Sequence, residues 1–448
     1  MSVVVLLLVI VCLGFLVVFL GRPATLVAVL AVLAYKALSI SIFSCSIEDI
    51  RFFRALQAMD FLFVMTVTMT VLVVSRPVRD SVLSIRTLSG RNMLIIGGIL
   101  AGGALTGLLL NPFDHFAIYL RLLFYPLMLY VIGTWLGRTL DLRTAAMLVV
   151  FTLLPVALLV LIEFVVRAPY HDLINSSCYQ SLRLGRSSQW YRLEDVMLFS
   201  TSRLYNIELF GDILVAKPYG TTLNYPSTSY LLLLGLLASW LVRRYILLVL
   251  FLVATLLMTT KASLFMLLSL LAVPVIVRRF ESRLRNGLVW GWLLGFGVLA
   301  TAWLVLTGRN LHAYSLLASL ASVPGHPLGN GIGWGGSLSV QEVSYTWDSE
   351  MLIGDSGLAI LLNMLGVAGF AVFLLYAQVF VREAVTAGTQ AGGRERLLVA
   401  TFGIGVIGNA VLQELAVGPY AAGLAVLMLA IAQRHALGRM DASSRSRH

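Results

Sequence analysis

The chain has 448 residues, of which 59% are hydrophobic and only 12% charged, with a mean hydropathy of +0.92. A soluble globular domain carries about 25% charged residues, so a soluble fold is excluded. An outer-membrane barrel is excluded too, because it would show short segments of alternating hydrophobicity. The net charge of +11 lies mostly in short turns between apolar runs. That is the positive-inside pattern of a membrane protein, with no aromatic-basic surface suited to nucleic acid.

A membrane-spanning helix needs about 20 apolar residues. Such runs fall at about 2–20, 23–44, 57–75, 92–110, 115–137, 144–166, 226–242, 245–260, 262–277, 287–307, 356–381, 396–413 and 418–433. The expected fold is an all-α polytopic membrane protein with about 12–14 transmembrane helices, forming a single integral membrane domain over 1–448. The first run lacks a basic leader and an A-x-A-like site, which makes it a first span rather than a cleaved signal. Arg76, Arg79, Arg86 and Arg91 share one side with Arg138, Arg143, Arg243 and Arg244. The Arg278–Arg285 cluster and the arginines from Arg382 onward join them, so this side is assigned to the cytoplasm. The C-terminus is then inside and the N-terminus outside.

Two large loops face the other way, at about 168–225 and 308–355. They hold most of the acidic residues, including Glu194, Asp195, Glu208, Asp212, Glu342, Asp348, Glu350 and Asp355. Loops longer than about 12–15 residues are usually functional or disordered. Short interfacial helices are expected in both, one of them over Leu311–Ser322, where apolar residues recur at helical spacing. No internal repeat is evident, which argues against an inverted-repeat transporter. The three cysteines, Cys12, Cys45 and Cys178, give no disulfide framework. One bridge between Cys45 and Cys178 is allowed but not forced. No CxxC or HExxH spacing suggests a metal site.

Ionisable residues near the outer boundary are Lys36, Asp60, Arg121, Glu163, Lys261 and Glu414. Charges within spans tend to face a cavity or a partner, so each is either a site residue or half of a structural pair. Lys261 lies in the minimal outer turn Thr259-Thr260-Lys261-Ala262-Ser263, where its ammonium can point into an outward cavity. In Pro218-Tyr-Gly-Thr-Thr-Leu-Asn-Tyr-Pro226, Pro226 suits a first helical turn, and Asn224 stands at the helix mouth. The most glycine-dense stretch is His326-Pro-Leu-Gly-Asn-Gly-Ile-Gly-Trp-Gly-Gly336. Gly329, Gly331 and Gly333 allow positive φ and close backbone approach, as an anion nest would require. A flexible re-entrant turn is the alternative. No GK[ST] follows, so the stretch is not a Walker A loop. His326 is either a turn residue or a base. Arg309 suits a phosphate clamp or a headgroup anchor. Glu350 and Asp355 offer carboxylates for general base work, and Asp355 with Ser356 equally suits a helix N-cap.

Three of these segments together resemble the O-antigen polymerase/ligase superfamily of bacterial inner-membrane glycan enzymes. Gly220-Thr-Thr-Leu-Asn-Tyr-Pro226 is similar to that family's G-x-x-x-N-P-like entry to a span, with Tyr225 intervening. Met258-Thr-Thr-Lys261-Ala-Ser-Leu264 is similar to its T-x-S-R turn, with Lys261 in the usual Arg place. Arg309, a short helix and then Pro327-Leu-Gly-Asn-Gly331-Ile-Gly333 resemble its P-L-x-G-x-G stretch. Its ligase branch carries a His, then nine residues after the following polar residue, then G-x-x-G. Here the same spacing gives Asp355-Ser356 and Gly366-Val-Ala-Gly369. Asp in place of His favours the polymerase branch.

The resemblance implies a GT-C-type glycosyltransferase in the bacterial inner membrane, with its active site facing the periplasm. The donor would be a polyprenyl-pyrophosphate-linked oligosaccharide, and the growing chain would pass to the next lipid-linked repeat. The alternatives are a ligase acting on a lipid core or protein, or, in another class, a lipid-linked oligosaccharide transporter. Catalysis would fall to Asp355, Arg309 and Lys261, with His326 and Glu350 as rival bases. Arg121, Arg203, Lys217, Asn224 and the loop glycines would contact substrate. No cofactor or metal is expected. Expected partners are membrane lipids, a flippase and a chain-length regulator.

Overall fold

A computed structural model describes residues 3–82, 87–183, 192–199, 201–203, 214–306, 311–336, 356–390 and 393–445. Helix makes up 84% of it, as a helical polytopic membrane protein requires. In a bilayer every backbone polar group must be bonded internally, and a helix does this within one segment. Among the described residues, seven helices are long and apolar enough to cross a membrane. They are Arg22–Ile42, Ile50–Val74, Leu88–Leu110, Phe113–Leu136, Leu142–Val165, Lys261–Arg279 and Val367–Thr389. The remaining apolar runs also form helices, including Val3–Phe19, Tyr225–Leu241, Tyr245–Leu257, Ser282–Leu306 and Arg394–Ala410. The helix expected over Leu311–Ser322 is present.

The chain divides into two compact units, Met1–Val71 with Thr139–Leu264, and Leu72–Arg138 with Phe265–His448. The first unit is built around Tyr225–Leu241, which is buried along almost its whole length. A helix that is apolar all round belongs inside a bundle. It packs against Leu142–Val165 and Tyr245–Leu257. Gly235 lets the Phe251 ring reach its backbone, since a Cβ there would lie 2.3 Å from a ring carbon. At one end of this unit are the short helices Arg167–Leu173 and Ser176–Arg183 and a short antiparallel pairing of Thr201–Arg203 with Leu214–Ala216. A disulfide joins Cys45, in the turn after Arg22–Ile42, to Cys178. Beside it Ile47, Phe53, Tyr170, Ile174, Tyr179, Leu182 and Leu223 form one buried layer.

The second unit centres on Arg394–Ala410, buried from Leu397 to Ala410. Val367–Thr389, Ser282–Leu306 and Leu424–Arg445 pack against it. Leu424–Arg445 also lies along Phe113–Leu136, close enough that a Cβ on Gly133 would stand 2.6 Å from the Leu427 carbonyl oxygen. The apolar run at 356–381 was expected as one span, but it is divided into Gly357–Leu365 and Val367–Thr389. Gly366, at φ 59, is the break. Its amide still bonds to Leu362, while the next amide, of Val367, turns away to the Pro327 carbonyl at 3.0 Å. Gly369 lies so close to the Leu361 carbonyl that a Cβ would fall 1.9 Å from its oxygen. The Gly366-x-x-Gly369 spacing therefore serves a tight change of helix direction.

Replacing Cys45 by Ser should lower stability by about 2–4 kcal/mol, the usual worth of a bridge that closes a long loop. Thermal unfolding in detergent checks this. A reducing agent should bring the wild-type chain to the variant's Tm, and identical unfolding of the untreated proteins would show that the bridge contributes nothing.

Candidate anion-binding site

The segment Lys217–Leu223 leads from the Leu214–Ala216 strand into Tyr225–Leu241. Gly220 takes φ 65 and Leu223 φ 50, so the chain turns sharply. At Gly220 the backbone presses on Thr228, and a Cβ there would come within 2.4 Å of the threonine methyl. Thr228 Oγ1 donates to the Tyr219 carbonyl at 2.7 Å and lies 2.8 Å from Thr222 Oγ1. Asn224 caps the helix, its Oδ1 accepting from the Ser227 amide at 3.3 Å, with Pro226 in the first turn. Pro226 thus stands in the first helical turn, as its sequence position suggested, and Asn224 stands at the helix mouth.

Lys217 is only 4% exposed, and its Nζ stands 5.5 Å from the centre of the Tyr225 ring. A cation over an aromatic face is attracted by the ring's quadrupole. Burial, and then the Lys261 ammonium, push the Lys217 pKa down to about 8. Lys261 begins the helix Lys261–Arg279 after Thr259, which takes φ 48. Thr260 caps that helix by accepting from the Ser263 amide at 3.2 Å. The same Thr260 hydroxyl donates to Ser229 Oγ at 3.2 Å. Two helix N-termini are thus tied together, with a lysine beside each. Helix N-termini carry partial positive charge, and the caps on these two leave that charge in place while taking up the Ser227 and Ser263 amides. Two mutually repelling ammoniums add to it, and the arrangement suits a polyanion.

Behind the Lys217 turn is a buried acidic group. Glu163 is 1% exposed at the end of Leu142–Val165. Its Oε1 accepts from the Tyr219 amide at 2.6 Å and its Oε2 from the Gly220 amide at 2.8 Å. His171, fully buried, places Nε2 3.1 Å from Glu163 Oε1, and its ring meets Tyr170 and Tyr219 edge-on. Arg167 donates to the Met197 carbonyl at 2.7 Å. Burial lowers its pKa, and Glu163 and Tyr219 oppose the shift. Burial and then Glu163 raise that of Tyr170. Sequence reasoning singled out Glu163 but missed Arg167 and His171. Their signal is the spacing Glu163-x-x-x-Arg167-x-x-x-His171, which a continuous helix would hold near one face; here the first helix ends at Val165, and Arg167 and His171 lie on the short helix that follows.

Of the other candidates in the first unit, Lys36 and Asp60 form an ion pair at 2.8 Å, and Lys36 also donates to the Gln57 carbonyl. Arg203 ends the strand that pairs with Leu214–Ala216. In the second unit, Arg121 is half-buried on Phe113–Leu136. Glu414 is buried and accepts a hydrogen bond from the Tyr119 hydroxyl. His326 is exposed on a turn whose ends are joined by Gly329 N to the His326 carbonyl at 2.9 Å. Arg309, Glu350 and Asp355 lie outside the described residues. Ser356 caps Gly357–Leu365, its Oγ accepting from the Ala359 amide at 3.3 Å and donating to the Val411 carbonyl at 2.6 Å.

The glycine-dense turn is bonded into the second unit through its backbone. Gly329, Gly331 and Gly333 take φ 74, 83 and 104. The amides of Asn330, Gly331 and Ile332 donate to the carbonyls of Asn363, Met364 and Gly103 at 2.9–3.0 Å. Asn111 Nδ2 donates to the carbonyls of Asn330, Gly331 and Ile332 at 3.0–3.2 Å. A Cβ on Gly331 would lie 2.5 Å from the Gly107 nitrogen, and one on Gly333 2.7 Å from the Phe116 nitrogen. These glycines bring the turn against two helices, and the amides an anion nest would use at 330–332 are occupied. Among the described residues no cluster of three or more His, Cys, Asp or Glu is placed to hold a metal ion.

No family model, curated protein or solved structure matches the chain.

Lys217 is charged below about pH 8 and neutral above it. Since the folded state disfavours the charged amine, this group's contribution to stability rises with pH between about 8 and the ordinary lysine value of 10.5. Anion binding runs the opposite way, because it needs the ammonium. Affinity for inorganic pyrophosphate should fall about tenfold from pH 7 to pH 9 relative to Lys217→Arg, which keeps its charge throughout. Calorimetry at both pH values measures the difference, and parallel pH profiles would remove Lys217 from the site.

Proposed function

We propose that the chain is a GT-C-type membrane glycosyltransferase of the O-antigen polymerase/ligase kind, on its polymerase branch. It carries 12–14 spans in a bacterial inner membrane, with its reaction on the periplasmic face. The donor is a growing glycan on polyprenyl pyrophosphate, and the acceptor is a hydroxyl of a lipid-linked repeat unit. The observation that carries this reading is the pair of lysines, buried Lys217 and half-buried Lys261, set beside two helix N-termini joined through Thr260 and Ser229. A pyrophosphate headgroup matches that charge and those donors.

The outward orientation has a second support. Disulfides form in oxidising compartments, and the Cys45–Cys178 bridge lies at the end of the first unit where Leu223 and Tyr219 join the buried layer. Both this bridge and the arginine distribution support a lysine site at the non-cytoplasmic end. Lipid-linked glycans in the periplasm need no nucleotide there, because the sugar–pyrophosphate bond carries the driving energy.

In the reaction, the acceptor oxygen forms a bond to the donor's anomeric carbon as the bond from that carbon to pyrophosphate oxygen breaks. The negative charge that develops on the leaving group is met by Lys261, Lys217 and Arg309, which is electrostatic stabilisation of the transition state. Asp355 accepts the acceptor's proton or orients the hydroxyl, with Glu350 and His326 as rival bases. Arg121, Arg203 and Asn224 contact the glycan or its phosphates.

Purified protein given lipid-linked repeats should yield a ladder of products resolved by size. Asp355→Ala and Arg309→Ala should abolish the ladder while the protein still inserts, and Lys261→Met should slow its formation by about 100-fold or more. Transport of the lipid-linked unit in vesicles with no ladder would overturn the assignment. Transfer of finished glycan to a lipid core or protein would move it to the ligase branch.

A further inference from the structure

Glu163 makes an unusual connection. A carboxylate taken out of water is costly unless it is bonded, and this one is bonded to consecutive backbone amides, not mainly to a cation. Tyr219 and Gly220, which supply them, are 56 and 57 residues away in the chain. Lys217 lies two residues before the first of these amides, and Asn224 four residues after the second. Oxygens fixed at 2.6 Å and 2.8 Å define both the height and the tilt of the turn. The far side of the turn is held by the Thr228 hydroxyl on the Tyr219 carbonyl. His171, beside Oε1 and edge-on to Tyr219, fills the space that would otherwise let the carboxylate swing.

We propose that Glu163 is a positioning residue of the anion site: its carboxylate clamps the Tyr219–Gly220 backbone and so sets where the Lys217 ammonium stands relative to Lys261. This rests on reading those two lysines as the anion site. Glu163 touches no reacting atom and acts only through the turn. In Glu163→Gln the side-chain oxygen still accepts one amide, but its NH2 faces the other, donor against donor. One end of the turn is released and Lys217 relaxes away from its place over Tyr225.

The test uses the full chain in lipid nanodiscs and two readouts. The first is affinity for inorganic pyrophosphate, measured by calorimetry. The second is the pH profile of Lys217 labelling by an amine-reactive reagent, quantified by mass spectrometry, with exposed amines as internal reference. Glu163→Gln should weaken pyrophosphate at least tenfold and shift the Lys217 profile, with the folded state retained at the assay temperature. An unchanged Lys217 profile overturns the proposal, even where the variant unfolds at a lower temperature, because a purely structural carboxylate would lower stability and leave that profile in place. If Glu163→Gln does not fold, Glu163→Asp, which keeps the charge and shortens the reach by one carbon, gives the decision by the same profile. If the wild-type chain binds no pyrophosphate, the anion-site reading fails, while the labelling profile still decides whether Glu163 positions Lys217.

Discussion

Polar groups withdrawn from both water and lipid must find their partners inside the protein, and the structure is organised by how this chain meets that demand. Most of the backbone meets it by forming helices. Where the helices stop, individual side chains take over. Asn224, Thr260 and Ser356 cap buried helix starts, Asn111 serves three successive carbonyls of the glycine turn, and Glu163 serves two successive amides of the Lys217 turn. Each of these side chains helps to hold a helix start or a turn in one conformation.

The two glycine-containing turns solve different problems. At Gly220 the bare backbone lets a turn settle onto Thr228, so that the lysine three residues earlier is fixed near the mouth of a helix. In the glycine-dense turn, Gly329, Gly331 and Gly333 bring backbone directly against backbone, and the amides at 330–332 are used up in bonds to the neighbouring segments. A glycine-dense stretch is therefore not in itself an anion site. Whether its amides are exposed or bonded decides that, and here the chemistry shifts toward the lysines.

Among the other ionisable residues, Lys36 pairs with Asp60, and Glu414 accepts from Tyr119. Lys217 and Lys261 stand near enough to repel one another, which burial sharpens. A bound anion would relieve that repulsion, and this is the physical basis of the proposed pyrophosphate site.

From its sequence alone, this chain was legible as a helical membrane protein, and each apolar run became helix because length and hydropathy leave no other way to bond its backbone. The caps were legible too, since Asn224 and Pro226 act over neighbouring residues. Lys261 stood out because an ammonium in a two-helix turn has few other uses. The break at Gly366 was not legible, because a Gly-x-x-Gly pair fits inside an apolar span equally well. Only the Pro327 carbonyl, which draws off the Val367 amide, makes it a turn. Nor could the sequence join Glu163 to Tyr219 and Gly220, 56 and 57 residues away. That contact arises when segments far apart in the chain pack together, and hydrophobic periodicity records which face of a helix is buried but not what it is buried against.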